Sequence, residues 1–125
     1  AAALNKVGEL TNQASDVHGI KVISAPLPDG ISGDDLRKIA TEIRGKLPDS
    51  VVTLTSISDG KVVLVSAVSD GARAQGVKAG SLVKLASTVL GGGGGGKDDF
   101  AQGGGVDPTK IPQALEAVKS AIAAR

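Results

Sequence analysis

The chain has 125 residues and a formal net charge of +1, which fits one domain of ordinary size and does not by itself indicate a nucleic-acid partner. It has no cysteine, so disulfides, thiolate metal sites and thiol catalysis are excluded, and with Phe100 as its only aromatic residue, stacking of bases on aromatic side chains is nearly excluded. No apolar run approaches the length of a membrane span and no signal peptide is evident, so we expect a soluble cytoplasmic protein without a membrane partner.

The first predicted element is a short N-terminal helix over residues 2–14. Three apolar residues at helical spacing predict it: Leu4, Val7 and Leu10. We interpret residues 1–15 as the end of an upstream helical segment and residues 16–125 as a globular domain. The chain begins with Ala1 and contains no methionine, so we expect a piece of a larger protein.

Residues 16–68 predict a mixed sheet with one helix. Strand patterns cover residues 20–25, 51–57 and 61–68. An amphipathic pattern after Ser32, which is a favourable N-cap, predicts a helix between the first two strands. A strand–helix–strand unit implies a parallel pair, whereas the turn Asp59-Gly60 adds an antiparallel neighbour. The third strand is apolar on both faces, as in the centre of a sheet.

Residues 70–78 are small and polar and predict a loop or a frayed turn. Helical spacing then returns and ends at Gly91, a residue type that is typical just after the last turn of a helix. We expect a short edge strand at residues 99–102, and Asp107 with Pro108 predicts the start of a final helix. The expected fold class is therefore α/β, a mixed sheet of about four strands with helices packed on it.

The most unusual stretch is the glycine-rich loop predicted at residues 91–105, GGGGGGKDDFAQGGG. Ordering a glycine costs roughly 0.5–1 kcal/mol more than ordering an alanine, so an ordered run of six needs a compensating role. Its start matches part of a phosphate-binding loop, but Asp98 stands where the hydroxyl ligand belongs and a helix pattern precedes it. A purely structural turn and a backbone surface that approaches RNA closely are the other two interpretations.

The segment Val89–Val118, VLGGGGGGKDDFAQGGGVDPTKIPQALEAV, resembles the closing segment of the bacterial alanyl-tRNA synthetase family, its DHHA1-type domain. Upstream, Gly76–Ser87 is similar to the family segment that precedes the glycine run. The resemblance implies a tRNA-binding C-terminal domain that contacts the outer corner of alanine tRNA. It also implies that the domain helps aminoacylation and editing act on one tRNA, and that the remainder of the synthetase is its partner.

On this resemblance the candidate RNA-binding residues combine glycines, an amide and cations. They are Gly91, Gly92, Gly93, Gly94, Gly95, Gly96, Lys97, Gln102, Gly103, Gly104 and Gly105, with Arg73, Lys78 and Lys84 as further cations. His18 is the single histidine, so no nucleophile–base pair can be assembled around it. We therefore expect a non-catalytic fragment without a metal or another cofactor.

Two alternatives stay open. One is the accessory substrate-binding domain of a DHH-family phosphoesterase, although such domains usually carry a histidine where this chain has Lys97. The other is an oligomerisation module in which the apolar stripe of the N-terminal helix pairs with a second copy of itself.

Overall fold

The structure, a computed structural model, describes residues 14–124 and centres on one mixed sheet. Its strands are β1 (Ser15–Val17), β2 (Ile20–Pro26), β3 (Ser50–Ser58), β4 (Lys61–Val68), β5 (Gly94–Gly96) and β6 (Phe100–Gly105). Across the sheet they follow the order β1-β2-β3-β4-β6-β5. The predicted α/β class is confirmed, but the described residues form six strands rather than about four. Of the helix predicted over residues 2–14, only Ala14 lies within the described residues, so this helix stays a prediction.

The helices are α1 (Gly33–Lys46), α2 (Asp70–Ala74), α3 (Ala79–Val89) and α4 (Ile111–Ala123), with a 3₁₀ turn at Pro108–Lys110 before α4. The loop or frayed turn predicted at residues 70–78 is wrong for Asp70–Ala74, which form α2. Ser69 caps this short helix, because its hydroxyl accepts a hydrogen bond from the Ala72 amide. A helix of five residues is too short to show an apolar stripe in the sequence.

The central part of the sheet has the predicted connections. β2 and β3 are parallel, and β3 and β4 are antiparallel. Asp59 and Gly60 in the turn between β3 and β4 have φ angles of 53° and 75°, as the predicted two-residue hairpin requires. Ser32 caps α1 by accepting a hydrogen bond from the Asp35 amide at 3.2 Å. Local turn and cap chemistry therefore sets this part of the topology.

Two apolar clusters cover the two faces of the sheet. On one face, α1 packs against β3 and β4, with Leu36, Ile39, Ile43, Leu54 and Val65 fully buried. On the other face lie α3 and α4, whose buried residues include Val83, Ala86, Leu115, Val118 and Ile122. β4 is therefore covered on both sides, as its apolar sequence predicts. No helix within residues 14–124 is long and apolar enough to cross a membrane.

The two edges of the sheet are formed by the strands that the sequence does not predict. β1 folds back on β2 through His18 and Gly19, whose φ angles are 52° and 85°. His18 Nε2 donates to the carbonyl oxygen of Ala123 at 2.8 Å, so this edge is joined to the end of α4. At the other edge, β5 pairs with β6. The edge strand predicted at residues 99–102 is therefore an inner strand, longer than expected.

Candidate functional site

The glycine-rich stretch is not a loop but a β-hairpin at the edge of the sheet. In it β5 and β6 are antiparallel, and Gly95 lies opposite Gln102. The Lys97 amide donates to the Phe100 carbonyl at 3.0 Å and closes the turn. β6 pairs on its other side with β4, so the hairpin continues the central sheet. The phosphate-loop interpretation is not realised, because that loop connects a strand to a helix whereas this run connects α3 to a hairpin.

Gly91 has the conformation that the sequence predicts for it. Its φ angle is 80°, and it directly follows the C-cap of α3. The amide of Gly91 donates to the Thr88 carbonyl at 3.2 Å, and that of Gly92 to the Ser87 carbonyl at 2.9 Å. These bonds satisfy carbonyl groups at the end of α3 that would otherwise lack partners. The structural-turn interpretation therefore holds for this one glycine.

Every second glycine of the run packs too tightly to carry a side chain. A Cβ on Gly92 would lie 2.2 Å from the Gly104 oxygen, and one on Gly96 would lie 2.7 Å from the Cα of Ala101. A Cβ on Gly94 would meet the Cα of Gly103 at 2.4 Å. Each distance is shorter than van der Waals contact allows. These glycines are required by the fold.

The three glycines that end β6 are packed as well. A Cβ would lie 2.5 Å from the Ser87 hydroxyl at Gly103, 2.1 Å from the Val62 oxygen at Gly104 and 2.4 Å from the Cβ of Leu90 at Gly105. These three glycines therefore lie where the hairpin packs against its neighbours β4 and α3. All three are only partly exposed.

Gly93 and Gly95 differ from their neighbours, because a Cβ on either would meet no heavy atom within 4 Å. Both are exposed. Gly95 lies on the face of the hairpin that points away from α3, because residues alternate between the faces of a strand, and Gly93 directly precedes β5. We call these two residues the glycine shelf. Packing does not require glycine at either position, and the result is a stretch of backbone that a partner can approach closely.

Beside the glycine shelf lies a cleft of about 410 Å³. It is lined by Arg37, Gly95, Gly96, Lys97, Asp99, Phe100, Ala101 and Gln102. Four predicted residues meet there: Gly95, Gly96, Lys97 and Gln102. We call this the hairpin cleft.

Arg37 also lines this cleft, although no pattern in the sequence predicts it there. The guanidinium carbon of Arg37 lies 5.0 Å from the centre of the Phe100 ring, which is the distance of a cation–π contact. Arg37 is exposed on α1, as a solvated residue of an amphipathic helix would be. Only the packing of α1 beside β6 brings it to the cleft, so no local sequence signal could have identified it.

The other predicted cations lie elsewhere. Lys84 is exposed on α3, which packs on the opposite face of the hairpin. Lys78 lines a separate cleft of about 160 Å³ with the end of α4. Arg73 forms an ion pair with Asp70 on α2. None of the three lines the hairpin cleft.

The hairpin cleft combines positive charge with polar groups that can bind an anion. Arg37 and Lys97 supply positive charge, Asp99 opposes it in part, and Gln102 offers an amide. In an antiparallel pair of strands, hydrogen-bonded residue pairs alternate with pairs whose N–H and C=O groups point away from the partner strand. Lys97 and Phe100 are hydrogen-bonded, so the backbone amides of Gly94 and Gly96 face away from β6. The lining includes no nucleophile–base pair, and among residues 14–124 no three acidic or histidine side chains could share a metal ion.

Two carboxyl groups with shifted pKa values lie outside this cleft. A hydrogen bond from Lys21 lowers the pKa of Asp16 beside the β1–β2 turn. A hydrogen bond from the Thr109 side chain likewise lowers the pKa of Asp107, which begins the 3₁₀ turn. Both groups stabilise turns, so neither belongs to a candidate site.

Comparison with known proteins gives a consistent set of similarities. The DHHA1 domain family matches residues 19–124 of the chain. An alanine–tRNA ligase of Streptomyces avermitilis is 42% identical over 122 residues, which are 95% of this chain but 14% of the ligase. The chain therefore spans about one seventh of the length of this relative.

Solved structures extend the comparison. The C-Ala domain of the Aquifex aeolicus alanyl-tRNA synthetase superposes with a TM-score of 0.81 at 29% identity, over 88% of this chain and 97% of that chain. A pGpG-specific phosphodiesterase from Vibrio cholerae has a TM-score of 0.56 at 13% identity, over 98% of this chain and 40% of that chain. At that identity the phosphodiesterase shows a shared fold and nothing more.

Proposed function

The chain belongs to the DHHA1 domain family, and from that membership we propose that it is the tRNA-binding C-terminal domain of an alanyl-tRNA synthetase. In this proposal it contacts the outer corner of alanine tRNA and helps aminoacylation and editing act on one tRNA. The remainder of the synthetase is its partner, and the domain itself is non-catalytic and needs no cofactor. The similarity to an alanine–tRNA ligase and to the C-Ala domain of a synthetase supports this assignment.

The observation that carries the proposal is the open face of the hairpin. Gly93 and Gly95 have no packing neighbour on that side, and Lys97 and Gln102 line the cleft beside them. RNA is recognised largely through shape and through phosphate and ribose contacts, which a bare backbone with adjacent cations can provide. The glycine shelf lets the RNA come close, and Lys97 supplies attraction that does not depend on base sequence.

Arg37 and Phe100 extend this surface on the side of α1. The guanidinium plane of arginine can stack on a base and can also hold a phosphate through two N–H groups. The contact with Phe100 holds Arg37 in place at the cleft wall. The surface therefore combines close backbone approach, positive charge and one pre-positioned arginine.

A binding titration at two salt concentrations tests the proposal. The chain is titrated with an alanine tRNA transcript and, separately, with the acceptor stem-loop of the same tRNA, which lacks the outer corner. We expect salt-sensitive binding to the whole tRNA and weak binding to the stem-loop. For each phosphate contact, the slope of log K against log salt is about −0.7 to −0.9.

Lys97→Ala is the informative variant, and Lys119→Ala is its matched control. Lys119 is exposed on α4, which covers the face of the sheet opposite α1, so both variants remove one exposed lysine. We expect only Lys97→Ala to weaken binding and reduce the salt slope by about 1. Equal binding to both RNAs would leave only general electrostatic attraction, and no binding to either would refute the proposal.

The two alternatives have less support. The likeness to a phosphodiesterase extends to the fold alone, and Lys97 lines the cleft where the phosphoesterase alternative expects a histidine. The oligomerisation module depends on residues 1–13, which the structure does not describe, so it stays a prediction.

A further inference from the structure

A second cleft, of about 520 Å³, adjoins the hairpin cleft. It lies between the end of α1 and the start of α2 and is lined by Arg44, Pro48, Val68, Ser69, Asp70, Arg73 and Asp99. Asp99 lines both clefts, so they share a wall. We call this one the arginine cleft, because two arginines from different helices meet in it.

Arg44 is held in position by a hydrogen bond to a backbone oxygen rather than by an ion pair with a carboxylate. Its Nη1 donates to the backbone oxygen of Asp99 at 2.8 Å. Among residues 14–124, Arg44 forms no ion pair. One guanidinium N–H group therefore fixes the side chain, while the others are available to an acceptor in the cleft.

Arg73 is only partly satisfied. Its Nη2 pairs with the carboxylate of Asp70, whose side chain is 94% exposed. Its Nε is buried and has no hydrogen-bond partner within the described part of the chain. A buried N–H without an acceptor is unfavourable, so a shift of the Arg73 side chain that brings this N–H to an acceptor is favoured.

The two clefts are also aligned along one flank of α1. Arg37 contacts Phe100 near the first cleft, and Arg44, two turns further along α1, contacts the neighbouring residue Asp99. Seven residues of helix separate the two arginines by roughly 10 Å along its axis. The flank thus presents two arginines in a row beside the strand β6.

We propose that the arginine cleft binds a backbone phosphate of the same RNA strand that lies on the glycine shelf, held between Arg44 and Arg73. This inference rests on the proposed function and adds a second contact point to it. Arginine suits this role because its planar fork binds phosphate oxygens with two parallel hydrogen bonds. Phosphate displaces the exposed carboxylate of Asp70 from Nη2 of Arg73, against partial repulsion from Asp99.

The test compares the wild-type chain with Arg73→Gln and Arg44→Gln/Arg73→Gln, titrated with the alanine tRNA transcript at several salt concentrations. Loss of one phosphate contact is expected to reduce the salt slope of the double variant by about 1. We also expect its affinity at low salt to fall roughly tenfold. Arg73→Gln keeps the bond between Arg44 and Asp99, so it reports on the cleft even if the double variant folds poorly. Lys119→Gln is the control for charge loss.

The side-chain Nε–H signal of Arg73, followed by nitrogen-15 NMR, provides a readout that a purely structural role would not move. We expect it to shift on addition of the tRNA, and Arg44→Lys/Arg73→Lys to recover part of the salt slope. A saturable shift with inorganic phosphate alone, and none with tRNA, would overturn the assignment to an RNA phosphate. Unchanged affinity and slope in both arginine variants, with Lys97→Ala still weakened, would overturn this inference and leave the proposed function intact. Absence of tRNA binding by the wild-type chain would overturn both.

Discussion

The Cα of Gly103 occupies the space that a side chain on Gly94 would need, because a Cβ on Gly94 would lie only 2.4 Å from it. Val83 of α3 adds a second barrier at 2.9 Å from the same point. On the face that α3 covers, the hairpin therefore carries glycines and the small residue Ala101. One residue further along, Gly95 has open space on the other face. Adjacent residues of one glycine run thus have different reasons to be glycine.

This contrast predicts opposite effects of two alanine substitutions. Gly94→Ala overpacks the contact with β6 and α3, so we expect the free energy of unfolding to fall by about 1–3 kcal/mol. Gly95→Ala meets no neighbour, so we expect unchanged or slightly higher stability, by up to about 1 kcal/mol, since alanine restricts the unfolded chain. Urea denaturation of the two variants measures both values. Equal destabilisation would contradict the division of the hairpin into two faces.

Gly95→Ala is also expected to weaken RNA binding although the protein remains folded, because the added methyl group separates the RNA from the backbone. The same tRNA titration measures this effect. If Gly95→Ala and the wild-type chain bind the tRNA equally, the glycine shelf is not part of the interface.

Arg37 is expected to contribute to RNA binding more than to stability. In Arg37→Ala the exposed contact with Phe100 is lost, which costs about 0.5–1 kcal/mol of stability, whereas the RNA affinity falls severalfold. Lys38→Ala is the matched control, since Lys38 is the next residue of α1, is also exposed and does not line the cleft. The idea fails if the two variants reduce tRNA affinity to the same extent.

Asp107 is expected to make stability depend on pH in the acid range. A hydrogen bond from Thr109 lowers the pKa of Asp107 in the folded state. The carboxylate therefore stabilises the fold fully above its unfolded pKa of about 3.9, and this contribution is lost as the pH falls through the lower folded pKa. Asp107→Asn lacks this titration. Urea denaturation measures the difference in unfolding free energy between wild type and variant, and this difference should become smaller as the pH falls from 5 to about 2. A difference that stays constant over this range would contradict a stabilising role of the Asp107 carboxylate.

Two leucines test the assignment of the core. Leu64 of β4 is fully buried, so Leu64→Ala is expected to lower the free energy of unfolding by about 2–5 kcal/mol. Leu85 on α3 is 40% exposed, and its replacement by alanine should change stability by less than about 1 kcal/mol. Thermal or urea unfolding separates the two. Similar losses would mean that the outer side of α3 is covered by something in solution.

The elements with strong local signals could be predicted from the sequence. Ser32 and the apolar stripe after it predict α1, and the apolar run from Val62 to Val68, interrupted only by Ser66, predicts a strand covered on both faces. β5 could not be predicted, because three glycines have neither alternation nor strand propensity. These glycines are ordered because they pack against α3 and pair with β6, and such contacts between distant segments leave no local pattern in the sequence.

The candidate site, like the fold, could be predicted only where its residues are close in sequence. Lys97 and Gln102 flank the glycines in the sequence, so their meeting at one cleft follows from the turn between β5 and β6. Arg37 and Arg44 are distant in sequence and reach the clefts only because α1 runs beside β6. Lys84 shows the opposite case, since it is close to the glycine run in sequence but lies on α3, on the other face of the hairpin.

The order of the strands determines how far apart the two edges of the sheet lie. The bond between His18 and Ala123 brings the start and the end of the described chain together at the β1 edge, whereas the hairpin forms the opposite edge. Five strand spacings of about 4.8 Å separate the two, roughly 24 Å in total. One sheet therefore holds the two ends of the described chain at one edge and the hairpin at the other, so a change at the first edge leaves the geometry of the hairpin intact.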